Sequence, residues 1–197
     1  MTKLLKASFY QRSPELVAHD LLGHRLIRRL QNLTLEGMIV ETEAYFGNKD
    51  PASRAYHGQK HYNQLMWEQP GTIFIYNVHK YWMLNVVAHA PRHVGAVLIR
   101  AIEPLIGIWF MQQQRKIQKK EQLTNGPGKL TIALNIDKQL NGSSVTSPTS
   151  EIMIQHERPA LPPISRSHRV GVTRDLETQL RFYIANSRYV SRKKLAR

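Results

Sequence analysis

Residues 39–47 read IVETEAYFG. In an extended strand successive side chains alternate between faces, so residues i, i+2 and i+4 line one side. Glu41, Glu43 and Tyr45 then share one face, and Val40, Thr42 and Ala44 share the other. Ile39 and Val40 suit the inside of a sheet. Two acids and a tyrosine in a row are unexpected in a chain with 28 Lys+Arg against 14 Asp+Glu, a formal net charge of +14.

Working outward, the strand covers Leu33–Tyr45, and a preceding strand covers His24–Arg29, with a turn at Gln31-Asn32 between them. Upstream, Ser13–Leu22 predicts a helix. Ser13 suits the cap, Pro14 the first turn, and Leu16, Val17, Leu21 and Leu22 an apolar stripe that Gly23 ends. Downstream, Phe46–Gly71 is polar and aromatic, and reads as a functional loop or a set of short helices. Thr72–Tyr76 and Tyr81–Ala88 predict a hairpin with Asn77-Val78-His79-Lys80 at its tip. Ala96–Ala101 predicts a strand closed by Glu103-Pro104, and Leu105–Lys120 a helix with a basic end. TNGPGK at 124–129 reads as a loop, Leu130–Leu134 as a short helix, and 141–150 as a polar, flexible segment. Ile152–His156, Ser167–Val172 and Leu180–Ile184 are late strand candidates. There is no internal repeat. The fold class expected is α+β, one compact domain over 1–197 with mostly antiparallel strands.

Length and a 42% apolar fraction allow a sizeable core. The longest apolar runs are too short to span a membrane, and no signal-peptide pattern or lipidation cysteine is present, so a cytoplasmic protein is expected. The absence of cysteine excludes disulfides, thiol nucleophiles, iron–sulfur clusters and cysteine-based zinc sites. No HExxH or other metal motif appears, and neither metal nor cofactor is expected. The pI near 10.2, with basic clusters at 24–29, 115–120 and 192–197, favours a polyanionic partner.

The residue types left for chemistry are a carboxylate, aromatics and an arginine: Glu43, Tyr45, Phe74, Tyr76 and Arg100. A carboxylate can activate water and stabilise a cationic sugar. Aromatic faces hold an unstacked base, and chemistry on a base in duplex DNA requires taking it out of the stack. NGPGK at 125–129 could offer backbone N–H groups to a phosphate, or be a turn. Spacing alone does not bring these groups together. Core aromatics and salt-bridged acids fit the same pattern.

Several ordered motifs carry a more specific message: ELVAHDLLGHRLIRR, GMIVETEAYFG, DPAS, MWEQPGTIFIY, LNVV, VLIRAIEPLIG, TNGPGKLTIALNI, RVGV and LRFYIANSRYVS, from about Glu15 to Ser191. Together they resemble the 3-methyladenine DNA glycosylases of the alkyladenine type. The resemblance implies a monofunctional enzyme without cofactor. It would flip alkylated or deaminated purines (3-methyladenine, hypoxanthine, ethenoadenine) out of duplex DNA and hydrolyse the N-glycosidic bond, leaving an abasic site. The implied fold curves the sheet and pushes a hairpin into the minor groove. Partners would be damaged duplex DNA and no membrane, with the protein a monomer, nucleoid-associated if bacterial. By the same resemblance, Glu43 is the general base, Arg100 sits near the water and the phosphate, and Tyr45 and Tyr76 stack on the flipped base. Asn85 lines the base pocket, and Phe74 occupies the first aromatic position of the hairpin strand. Glu41 is given a structural hydrogen bond or ion pair.

Three positions depart from the family pattern. Arg54 stands where a histidine is common, with His57 three residues later. An arginine plane stacks on a neutral base and repels a cationic one. The hairpin tip NVHKYW is one residue shorter, with His79 the first choice for the wedge, Val78 or Tyr81 the alternatives, and Lys80 a further DNA contact. KHYN at 60–63 replaces a TPRN segment; Lys60 can contact phosphate, as can Lys129 of NGPGK, and the tail at 192–197 could compensate. The alternative functions are a damaged-DNA-binding module that cleaves poorly and, more remotely, an RNA-binding domain.

Overall fold

The computed structural model describes residues 3–157, 160 and 162–191, so the basic tail at 192–197 lies outside the described residues. The strands are β1 (Arg25–Leu30), β2 (Leu33–Phe46), β3 (Ile73–Val78), β4 (Tyr81–Val87), β5 (Gly95–Ile106), β6 (Ile152–Gln155), β7 (Ile164–Ser167) and β8 (Arg181–Ile184). They form one antiparallel sheet in the order β3-β4-β5-β2-β1-β6, with β8 joining β2 to β7. The helices are α1 (Ala7–Tyr10), α2 (Pro14–Asp20), α3 (Ile108–Arg115) and α4 (Pro127–Ala133). The α+β class and the curved antiparallel sheet are as expected.

The long strand β2 organises the sheet. Its far edge pairs with β5, while its near edge is divided between β1, opposite residues 33–38, and β8, opposite residues 41–43. The alternation of IVETEAY is realised in the packing. Val40 and Ala44 are fully buried in the main core with Val17 and Ala18 of α2 and with Leu21 just after it. Thr42 points the same way and donates its hydroxyl to the Ala18 carbonyl at 2.7 Å. Burying the valine and leucine side chains contributes about 1.5–3 kcal/mol each relative to leaving them exposed. Gly37 lets the strands close up: a β-carbon there would lie 2.6 Å from Ile102 Cδ1 and 2.8 Å from the Glu103 carbonyl oxygen.

The structure corrects several expectations. Strand β5 does not stop at Glu103-Pro104 but runs to Ile106, because a register shift between Glu36 and Gly37 absorbs the proline. Helix α3 is shorter than 105–120, since Lys116 adopts a left-handed φ of 51° and ends it. Helix α4 begins inside the predicted loop, where Pro127 takes the first helical position. Helix α1 carries no clear pattern and was not anticipated. Residues 168–172 leave the sheet after β7, drawn into a buried ion-pair network at Arg169. Segment 141–150 is irregular but tied down: Val145 is fully buried, and Ile73 donates its N–H to the Ser143 carbonyl. The β3–β4 hairpin is paired out to Val78 and Tyr81, which leaves only His79-Lys80 as the turn, with His79 at φ 52°.

Candidate active site

A break in pairing builds the centre of the site. Ile39 faces Ile102, Glu41 faces Ala101 and Thr42 faces Ile99, so Arg100 has no residue opposite it. Bulges re-aim side chains, and here the Arg100 guanidinium bridges both acids of the ETEAY run. Its Nε donates to Glu41 Oε1 at 2.8 Å, its Nη1 to Glu43 Oε2 at 3.1 Å, and its Nη2 to Ser191 Oγ at 3.3 Å.

The two glutamates, both inaccessible to solvent, are treated differently. Glu41 also accepts Arg181 Nε at 2.7 Å and the Ser191 N–H and hydroxyl at 2.6 Å each. Burial opposes its charge, but Arg100 and Arg181, with the Ser191 donors, hold its carboxyl below the ordinary carboxylate value. It is a saturated acceptor. Glu43 accepts the Val170 N–H on Oε1 at 2.7 Å, and shares Oε2 between Arg100 and the Tyr45 hydroxyl at 2.8 Å. Burial pushes its carboxyl up, against the pull of Arg100, and the nearby Glu41 charge adds to the rise. Neighbouring carboxyls displaced in opposite directions are the mark of divided roles.

Beside Glu43 lies a cavity of about 530 Å³, large enough to accept a base. Tyr45, Arg100 and Val170, which bind Glu43, all line it, so the carboxylate sits one hydrogen bond behind its wall. Tyr76, Met83 and Leu98 line it from the sheet, Arg54 and His57 from the loop after β2. Both tyrosines carry a guanidinium over the ring, Arg169 above Tyr45 and Arg54 above Tyr76, each 4.6 Å from the centroid. Arg169 is wholly buried between Asp50 and Asp175, and also donates to the Ala44 carbonyl.

Of the residues expected at a site, Glu43, Arg100, Tyr45, Tyr76, Arg54 and His57 come together here. Phe74 and Asn85 do not line the cavity. Phe74 is buried behind Tyr76, ring centroids 5.2 Å apart, and the Asn85 amide donates to the Phe74 and Met83 carbonyls at 3.1 Å each. His79, Lys80 and Tyr81 are exposed at the hairpin end, and Lys60 and Lys129 are exposed elsewhere, all outside the cavity. NGPGK has a packing role: a β-carbon on Gly128 would lie 2.8 Å from Tyr81 Cβ and Cγ, so glycine lets α4 brace the hairpin. Sequence reasoning missed Arg169, Asp50 and the Val170 N–H. Their only signal was that RVGV and DPAS recur as ordered motifs. Among the described residues, no group of three or more His, Asp or Glu could hold a metal ion, and no helix is long and apolar enough to cross a membrane.

The chain matches the methylpurine-DNA glycosylase family over residues 8–188. It is 37% identical over 198 residues to a protein of Aeropyrum pernix, covering 100% of this chain and 97% of the relative. It is 40% identical over 192 residues to one of Methanoculleus marisnigri, covering 96% and 99%, and 39% identical over 191 residues to one of Carboxydothermus hydrogenoformans, covering 96% and 100%. All three are provisionally named as 3-methyladenine DNA glycosylases.

Proposed function

Because the chain belongs to the methylpurine-DNA glycosylase family, and is a DNA glycosylase, we propose that Glu43 activates the water that hydrolyses the N-glycosidic bond of a damaged purine. The observation that carries this reading is the contrast between Glu41, saturated by two arginines and Ser191, and Glu43, buried beside the cavity with a raised affinity for a proton. A base works best when its pKa approaches the working pH.

The surface charge brings duplex DNA in, and phosphate contacts hold it. The His79-Lys80 turn enters the minor groove, with His79 filling the gap left by the lesion. A weakly paired purine flips at least cost. It enters the cavity between Tyr45 and Tyr76, whose faces each contribute about 1–3 kcal/mol of stacking. Water takes the place on Glu43 Oε2 that the Tyr45 hydroxyl holds in the free protein. Glu43 removes its proton as the sugar becomes oxocarbenium-like, and the carboxylate charge stabilises that sugar. Arg100 fixes both carboxylates and stays charged throughout. Hydrolysis by water needs no Schiff base, and among the described residues no lysine lines the cavity, so the product is an abasic site with a free base.

The test is a duplex oligonucleotide carrying hypoxanthine or ethenoadenine, incubated with enzyme and then treated with alkali. Strand breaks that disappear in Glu43→Gln support the reading. Binding without breaks in the wild type would make the protein a damage-binding module instead. A covalent DNA complex trapped by borohydride would overturn the monofunctional mechanism.

A further inference from the structure

The loop after β2 serves two cavities. Arg54 and His57 line the catalytic one, whereas Lys49, Ala55 and Gly58, with Phe46 at the end of β2, line a second, larger cavity of about 830 Å³. Two half-buried aromatic side chains, Phe46 and Trp67, form part of its wall. Its charged lining is all of one sign: Lys49 and Arg92, with His93 beside them, and no aspartate or glutamate among the described lining residues. None of these three side chains has a hydrogen-bond, ion-pair or ring partner among the described residues. Three unpaired basic side chains beside aromatic walls suit a flat ligand that carries a negative charge.

The backbone points to the same place. The His93 N–H donates to the Ala90 carbonyl at 3.0 Å and closes a four-residue turn, with Pro91 second and Arg92 third. Proline second and a positive φ third mark a type II turn, whose third position favours glycine or asparagine. Arg92 holds that position at φ 66°. The turn holds the arginine at the cavity at a cost in backbone strain that glycine would not incur.

We propose that this cavity is a nucleotide-binding site, separate from the catalytic pocket, with the base against Trp67 and Phe46 and the phosphate against Lys49, Arg92 and His93. The excised product of a glycosylase is a free base without phosphate, so the charged wall is not explained by product binding. The phosphate-bearing ligand is either a free mononucleotide or one unit of a DNA single strand, which share this chemistry.

Calorimetric titration of the whole protein with dAMP tests the site, with deoxyadenosine, inorganic phosphate and a short single-stranded oligonucleotide as parallel arms. Binding of dAMP with a change in Trp67 fluorescence is expected, with deoxyadenosine and phosphate each at least about tenfold weaker. Arg92→Gly should keep or raise the melting temperature and leave excision unchanged, yet weaken dAMP at least about tenfold; Lys49→Gln should weaken it in the same direction. Tyr76→Ala, in the catalytic pocket, should leave dAMP binding intact. Binding by dAMP alone identifies a mononucleotide site, and equal binding by the oligonucleotide a strand site. No binding of dAMP, wild-type binding by both Arg92→Gly and Lys49→Gln, equal binding of phosphate alone, or loss of binding in Tyr76→Ala would each overturn the proposal.

Discussion

Glu41→Gln and Glu43→Gln change the same atoms two residues apart and should fail in opposite ways. Glu41 takes four donors, two from buried arginines. A glutamine there turns an NH2 group toward donors and leaves Arg100 and Arg181 short of an acceptor. Removing one partner of a buried ion pair costs about 3–5 kcal/mol. For a chain of this size, each kcal/mol shifts the melting temperature by about 2–4 °C, so Glu41→Gln should melt about 6–20 °C lower. Glu43 differs because burial already favours its uncharged form, which glutamine imitates. Glu43→Gln should therefore melt within a few degrees of wild type while losing about 10²–10⁴-fold in excision rate. The pH dependence separates them further. Glu41 is held below its ordinary pKa, so its contribution is present above the ordinary carboxylate range and is lost as pH falls through its folded pKa. The melting gap between Glu41→Gln and wild type should shrink in acid. Glu43 is raised, so its charge disfavours folding as pH rises through its folded pKa, and Glu43→Gln should gain on wild type in that direction. Scanning calorimetry from about pH 2 to 8, with single-turnover excision at matched pH where the enzyme stays folded, reads all of this. Equal destabilisation by both substitutions would refute the division of roles, as would a Glu43→Gln enzyme with wild-type rate.

Four further outcomes follow from the site. The acid limb of the single-turnover pH profile should lie above the ordinary carboxylate range, since burial raises Glu43; a limb at an unperturbed carboxylate value would remove Glu43 as the base. Tyr45→Phe keeps the ring and frees Glu43 Oε2, so its rate should stay within about tenfold of wild type, whereas Tyr45→Ala loses stacking of about 1–3 kcal/mol; a phenylalanine variant as inactive as alanine would show that the hydroxyl itself is required. Arg54→His removes a guanidinium from the Tyr76 face and should raise excision of cationic 3-methyladenine relative to neutral hypoxanthine, an unchanged ratio counting against the idea. His79→Ala should weaken lesion binding and flipping, read with a fluorescent base beside the lesion, and an unaltered signal would remove His79 from the wedge role.

Period-two patterning made much of this protein legible. The faces of β2, the β3–β4 hairpin and helix α2 follow from alternation, the proline of the first helical turn and turn residues, while Ser13 precedes α2 without a side-chain cap bond. The resemblance of ordered motifs then assigned Glu43, Tyr45, Tyr76 and Arg100, which the fold brings together. What stayed hidden depends on long-range contact. Arg169 meets Asp50 across 119 positions of sequence, and that meeting pulls 168–172 out of the strand their apolar residues predict. The bulge at Arg100 leaves no trace in a local pattern, because it is a mismatch between two strands. Phe74 shows the converse failure: an aromatic of the right type on the right strand, displaced from the cavity by Tyr76 in front of it.

The acids of IVETEAYFG also resolve the paradox of charge. The ion-paired groups around the site are Glu41, Glu43, Asp50 and Asp175 against Arg100, Arg169 and Arg181, four acids to three arginines. With Arg54 on the cavity wall the arginines also number four, so a chain of net charge +14 balances its charge at this centre and carries its positive excess elsewhere. The separation matters because the two fields act at different ranges. Phosphates are drawn by surface charge through water, where salt screens beyond about 8–10 Å. The sugar cation would form against Glu43 in a dry wall, where screening is weak and a single carboxylate counts for more. Without Arg100 and Arg181 the two acids would compete for one proton, as in any close carboxylate pair. By saturating Glu41 with two guanidiniums, the fold leaves Glu43 as the acid that can exchange a proton, and Arg100, shared by both, keeps it aligned.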